Sequence, residues 1–156
     1  MIFFKWMRRK IMRIEIIEVP LIDDIEIQIK CKEKNEYVKQ LAATIFEEQL
    51  IINGKIQNEY TQISSKDIYY FESVDNKTFI YCIDNVYESD MKLYELEEKL
   101  HGTKFTRINK ACIMNISKLK KVKGQINGRL LATLSNGENL IINRSYVQEV
   151  KRKLNL

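Results

Sequence analysis

Cationic and amide side chains crowd the stretch from Lys104 to Lys121, KFTRINKACIMNISKLKK. Lys104, Arg107, Asn109, Lys110, Asn115, Lys118, Lys120 and Lys121 are interleaved there with Phe105, Ile108, Ile113, Met114, Ile116 and Leu119. Arginine, lysine and asparagine donate to phosphates and to base edges, and asparagine also accepts. The apolar residues would hold that polar set on a rigid support. The chemistry this suits is recognition of a polyanion. Bond-making chemistry has little to work with. His101 is the only histidine, and Cys31, Cys82 and Cys112 are widely spaced with no CxxC among them. A histidine-based triad, a metal centre and a disulfide framework therefore lack their parts, and there is no glycine-rich phosphate loop. No catalytic residue, metal or cofactor is expected, and the chain is not read as an enzyme.

Charge is unevenly distributed. From Thr103 to Leu156 there are 12 Lys and Arg against two acids, Glu138 and Glu149, a net +10. The first 102 residues carry 14 Lys and Arg against 19 acids, a net −5. The whole-chain +5 thus hides a basic C-terminal third, the footprint of a nucleic-acid partner. The plainer alternative is a lysine-rich soluble surface.

The supporting elements follow from periodicity. At 156 residues the chain can bury one good core, with or without a small appendage. Residues 1–11 run from apolar to basic, too short for a membrane span and in the wrong order for a secretory signal. Met12 is an alternative start, which would make residues 1–11 a start-site extension; a short packing arm is the other reading. Arg13–Val19 and Ile25–Cys31 alternate in part with period two and are expected as strands, with Pro20 and Asp23–Asp24 turning between them. That acid pair is not read as a receiver's phosphate-accepting pocket, because a strand rather than a helix follows. Asn35 to Gln49 is expected as a helix capped by Asn35, with Val38, Leu41, Ala42 and Ile45 on one stripe. Residues 1–48 thus form a small β-β-α module, expected to dock on the rest or to dimerise. Residues 49–156 form a mainly β domain with short helices. Asn53–Gly54, Asn127–Gly128 and Asn136–Gly137 are candidate type I′ hairpin loops. A further hairpin joins Ile68–Glu72 to Thr78–Ile83 through Asp75–Asn76–Lys77. Leu93, Leu96 and Leu100 mark a helix that Ser89 or Asp90 could cap and Gly102 would end. Tyr146 to Leu154 is expected as a last short helix.

The order of these features resembles the LytTR DNA-binding domain of bacterial transcription regulators. Phe71-Glu72-Ser73, Leu96-Glu97, Phe105, Arg107, Asn115, Asn136-Gly137, Arg144 and Tyr146 occupy matching places over about Leu50 to Leu156. Ala111 and Asn143 depart from the family's usual serines, and Lys110 stands where some members carry a base-reading Asn or Arg. The resemblance implies a set of antiparallel β-sheets that meets DNA with inter-strand loops, here at Asn76 and Lys77, at Asn109 and Lys110, and at Arg144 and Ser145. Arg144 can fork onto a guanine edge, whereas Lys110 offers a single charge. Lys118 and Lys120, with Lys121 and Lys123, suit phosphates. Arg107 could equally pair with Glu97 or Glu72 inside the domain, and Asn115 is expected to be a buried turn amide.

The expected function is a sequence-specific DNA-binding transcriptional regulator in a reducing cytoplasm. Its partner would be double-stranded DNA with repeated half-sites, met by a homodimer. The resemblance also implies a small membrane protein as a regulator. The alternative is a β-rich protein-interaction module with an incidentally basic surface. RNA binding is a third reading, disfavoured because the aromatic residues mostly alternate into strands rather than forming stacking platforms.

Overall fold

Turn chemistry and period-two burial account for most of the architecture. The computed structural model describes residues 13–21, 25–48 and 50–156. The chain divides into a unit up to Lys30 and a unit from Cys31 to Leu156. In the first, Pro20 lies in a turn as expected, while Asp23–Asp24 and residues 1–12 lie outside the described residues. Neither Arg13–Val19 nor residues 25–31 forms a strand, and Ile14, Ile16, Ile17, Ile25 and Ile27 are exposed. This corrects the expected β-β half of the N-terminal module. Alternation gives a segment the propensity to be a strand, but a short run needs a ladder and a face to bury before it becomes one.

The second unit begins with α1 (Glu36–Glu48), where Asn35 Oδ1 accepts from the Val38 N–H at 3.1 Å, the expected cap. Ten strands follow: β1 (Ile51–Ile56), β2 (Glu59–Ser64), β3 (Ile68–Val74), β4 (Lys77–Cys82), β5 (Val86–Ser89), β6 (Phe105–Asn109), β7 (Cys112–Asn115), β8 (Leu119–Gly124), β9 (Leu130–Leu134) and β10 (Asn139–Ile142). Helix α2 (Leu93–Lys99) separates β5 from β6, and α3 (Val147–Leu154) closes the chain. The strands form a seven-stranded sheet in the order β2-β1-β5-β4-β3-β7-β6 and a three-stranded sheet in the order β10-β9-β8, all pairs antiparallel. The expected mainly β, antiparallel fold is what the chain adopts.

The hairpin at Asp75–Asn76 forms as expected, both residues at positive φ (48° and 62°) in a two-residue loop. The Asn53–Gly54 dipeptide does not turn. It lies inside β1, and the β1–β2 loop is Gln57–Asn58, with φ of 49° and 67°. Gly54 is needed for space rather than for a turn: a Cβ there would come within 2.7 Å of Ile63 Cδ1 and Tyr87 Cβ. At Asn136–Gly137 only the glycine has positive φ (92°), and the Gly137 N–H donates to the Leu134 carbonyl at 3.0 Å. That is a three-residue loop with a glycine bulge, not type I′. Asn127–Gly128 sits in the longer β8–β9 connection. Neither Ser89 nor Asp90 caps α2. Its N-cap is Lys92, whose N–H donates to Glu95 Oε2 at 2.6 Å.

Two cores result. Ile52, Ile63, Ile68, Phe71, Ile80, Phe105 and Ile113 pack under Leu93, Leu96 and Leu100, the predicted face of α2. On the other side Tyr70, Ile108, Cys112 and Met114 meet Ala132, Leu134 and Ile142 of the small sheet and Val150 of α3. Burial pushes the Cys112 thiol up to about 12 and the Cys82 thiol up to about 11, so both stay protonated at neutral pH.

Asn115 is the buried turn amide expected of it. Its Nδ2 donates to the Ile68 carbonyl at 2.8 Å, and its Oδ1 accepts from Ser117 N and Oγ at 3.0 and 2.7 Å. Asn115→Ala should leave the Ile68 carbonyl and the Ser117 amide short of partners and destabilise the fold by about 1–3 kcal/mol. A urea titration checks this: a lowered midpoint at unchanged slope is expected.

Candidate nucleic-acid interface

One end of the two sheets gathers turns from distant parts of the sequence. The Ser73 N–H donates to the Ala111 carbonyl at 2.8 Å, tying the end of β3 to the β6–β7 turn. The Asn143 N–H donates to the Ile108 carbonyl at 2.9 Å, and Asn109 Nδ2 to the Ile141 carbonyl at 3.3 Å, tying that turn to the exit of β10. Ile108 can do this because β6 bulges there: Arg107 opposes Ile113 while Asn109 opposes Cys112. The β8–β9 loop joins the same end, since Gly124 and Ile142 both oppose Leu130. Asn76, Asn109, Lys110, Arg144 and Ser145 therefore share one end of the domain.

Arg107 belongs to the same turn but faces inward. Its side chain is 18% exposed. Nε donates to the Asn109 carbonyl at 2.9 Å, a terminal nitrogen donates to the Lys110 carbonyl, and another lies 3.2 Å from Glu97 Oε2. Of the two internal pairings expected for it, the one with Glu97 is present. The arginine clamps the loop that carries Lys110. Asn109 Oδ1 accepts from the Ala111 N–H at 2.8 Å and bends the loop further. At the neighbouring hairpin the Asn76 carbonyl accepts from Lys92 Nζ at 2.7 Å, and Lys77 Nζ lies 3.1 Å from Glu88 Oε2.

Arg144 and Ser145 line an open cleft of about 690 Å³ with Asn127, Arg129, Asn143 and Gln148. Among the described residues no carboxylate lines it. Gly128 has φ of 72°, and a Cβ on it would lie 3.5 Å from Cγ and Cδ of Arg144, so the arginine stem runs along the bare glycine. Among the described residues neither Arg129 nor Arg144 has an acid within ion-pair distance. Sequence reasoning missed Asn127, Arg129 and Gln148. The signal for Arg129 was its place just after Asn127–Gly128, which was read only as a turn.

Lys118 lies elsewhere. Its Nζ sits 5.0 Å from the centroid of the Tyr69 ring, and Leu119 opposes Leu134, the end of β9 away from Leu130. Five residues of β9 put roughly 14 Å between that end and the cleft. Lys120 falls at the register shift between them and is exposed. Lys121 and Lys123 oppose Thr133 and Leu131 and alternate with Val122, which opposes the buried Ala132. They therefore stand on the outer face of the small sheet.

An antiparallel β domain that gathers inter-strand loops around an arginine cleft with no described acid in its lining has the chemistry to meet a polyanion. The sequence profile of the LytTr DNA-binding domain matches residues 58–155, and the chain belongs to that family. It is 31% identical over 94 residues to the sensory transduction protein LytT of Enterococcus faecalis, covering 60% of this chain and 39% of that protein. It is 25% identical over 122 residues to the transcriptional regulatory protein LytR of Staphylococcus aureus, covering 78% and 48%. The chain thus spans less than half the length of these relatives. Among solved structures, the LytTr DNA-binding domain of a putative methyl-accepting/DNA response regulator from Bacillus cereus superposes with a TM-score of 0.64 at 21% identity, covering 68% of this chain and 97% of that one. That likeness concerns the fold. No helix among the described residues is long and apolar enough to cross a membrane.

Proposed function

We propose that the chain is a sequence-specific transcriptional regulator that reads double-stranded DNA with the loops at one end of its β domain, as a homodimer on repeated half-sites. The observation that carries this reading is the acid-free cleft holding Arg129 and Arg144 beside the β6–β7 and β3–β4 turns. Arg144 reads a base edge, with its stem seated on Gly128, and Arg129 faces the adjoining phosphates. Lys110 reaches a second position from the turn that Arg107 clamps. Lys120, Lys121 and Lys123 supply charge to the backbone without sequence information. Lys77, held by Glu88, and Lys118, over Tyr69 at the far end, contribute less.

Fluorescence anisotropy with the DNA upstream of the protein's own gene, against a scrambled duplex of equal length, tests this. Tighter binding to the upstream DNA is expected. Equal binding to both would leave a non-specific DNA-binding protein, and binding to neither would favour the protein-interaction module.

A further inference from the structure

The seven-stranded sheet has two edges, and they are treated differently. At β6 the edge is covered: the Ile108 carbonyl accepts from Asn143 N–H, and the Phe105 carbonyl accepts from Lys153 Nζ. At β2 no described group of the unit from Cys31 to Leu156 bonds the outer backbone of the strand. Glu59, Tyr60, Thr61 and Gln62 are all exposed, Tyr60 at 67%.

Backbone geometry says which groups those are. A two-residue loop of type I′ makes Ile56 and Glu59 a hydrogen-bonded pair. Alternation then aims the N–H and C=O of Glu59, Thr61 and Ile63 at β1, and those of Tyr60, Gln62 and Ser64 outward. Natural edge strands are usually protected by lysine, proline, a bulge or a covering element. β2, EYTQIS, has none of these. Its register with β1 runs unbroken from Ile56–Glu59 to Ile51–Ser64, and Tyr60, Thr61 and Ile63 favour extended backbone.

We propose that the edge of β2 is a self-association surface, joined to β2 of a second copy by antiparallel strand addition about a two-fold axis at Gln62. Only pairings of residues of equal parity keep both copies' cores on the same side of the continued sheet. Centring on Gln62 satisfies this and pairs the outward-facing residues, Gln62 with the partner's Gln62 and Tyr60 with the partner's Ser64. On the core side it sets Thr61 against the partner's Ile63, extending the apolar face that Ile63 already belongs to. The charge pattern fits a second copy. The only charge on β2 is Glu59, which would face the partner's Ser65, so no like charges are opposed. β2 lies four strand spacings from β3, about 19 Å, so the DNA-facing turns stay free in both copies. One short strand makes a small interface, so the association is weak and concentration-dependent. It supplies a surface for the homodimer proposed above, yet it does not depend on DNA being the ligand.

Sedimentation velocity of the full chain without DNA, from about 1 to 300 µM, should follow a monomer–dimer equilibrium. Gln62→Pro removes an N–H that has no partner among the described residues of its unit, a change an edge strand tolerates. It should keep the thermal midpoint and weaken the dimer roughly tenfold. In a Cys31→Ser background, Gln62→Cys should form an inter-copy disulfide on mild oxidation, because a hydrogen-bonded pair sets the two Cα atoms about 5.5 Å apart. Tyr60→Cys, which would face Ser64 instead, should not. A wild type that stays monomeric throughout overturns the proposal. So does a Gln62→Pro variant that dimerises unchanged, or cross-linking at position 60 as fast as at 62. Loss of DNA binding with the dimer intact would instead strike at the functional reading alone.

Discussion

Replacing Arg144 with alanine should weaken binding to the cognate duplex about 10- to 100-fold while changing binding to a random duplex only a few-fold. The first figure corresponds to the roughly 1–3 kcal/mol that a forked arginine contributes when it pairs with guanine O6 and N7. Arg144 is suited to that task. It is exposed, its stem is supported along Gly128, and among the described residues no acid competes for its guanidinium. Arg129 lines the same cleft and offers the contrast. As a phosphate partner it carries no sequence information, so Arg129→Ala should weaken both duplexes by similar factors. Anisotropy titrations of the two variants on both duplexes separate the roles. If Arg144→Ala lost equally on both, Arg144 would be a phosphate contact and base reading would have to come from Lys110 or Asn76. Gly128→Ala provides a third arm. It strains a φ of 72° and adds a methyl against the Arg144 stem, so it should reproduce part of the Arg144→Ala loss of discrimination while all donors remain.

Much of this domain could be read before any coordinates because its signals are local. The Asp75–Asn76 hairpin, the Leu93–Leu96–Leu100 face and the Asn35 cap each depend on residues within a turn or two of one another. Asn53–Gly54 misled because Asn-Gly reports tolerance of positive φ, not the need for it. Gly54 answers instead to Ile63 and Tyr87, which β2 and β5 bring over it. Arg107 left two roles open until Glu97 and the carbonyls of Asn109 and Lys110 were placed around it. Lys110 and Lys118 stand eight positions apart in one basic stretch but at opposite ends of the domain. The chain crosses from the large sheet to the small one between them, a pairing choice that periodicity does not encode. For the same reason Arg129, 15 positions before Arg144, was not recognised as its neighbour. Residues 13–19 and 25–31 carry the alternation of strands without a ladder, which local pattern alone could not reveal.

Salt dependence should give the largest effect of all, and its slope tests the placement of the lysines. Arg129 in the cleft, with Lys120, Lys121 and Lys123 along the small sheet, are the cations assigned to phosphates. Each phosphate neutralised releases condensed counterions and contributes about −0.9 to the slope of log K against log salt. About four contacts give a slope of roughly −3.6, and raising salt from about 50 to 200 mM should then cost on the order of 10² in affinity. Single substitutions sort the contacts. Lys121→Ala and Lys123→Ala should each make the slope shallower by about 1 on cognate and random duplexes alike. Lys118→Ala should leave it nearly unchanged, because that charge sits over the Tyr69 ring at the far end of β9. The contrast matters because sequence position alone groups Lys118 with Lys120 and Lys121. A Lys118 variant with the larger slope change would mean that DNA runs along the opposite end of the domain, and the cleft at Arg144 would lose its claim to be the centre of the interface. A slope near zero for the wild type would remove the phosphate backbone from the account, and with it the reading of the basic C-terminal third as a DNA footprint.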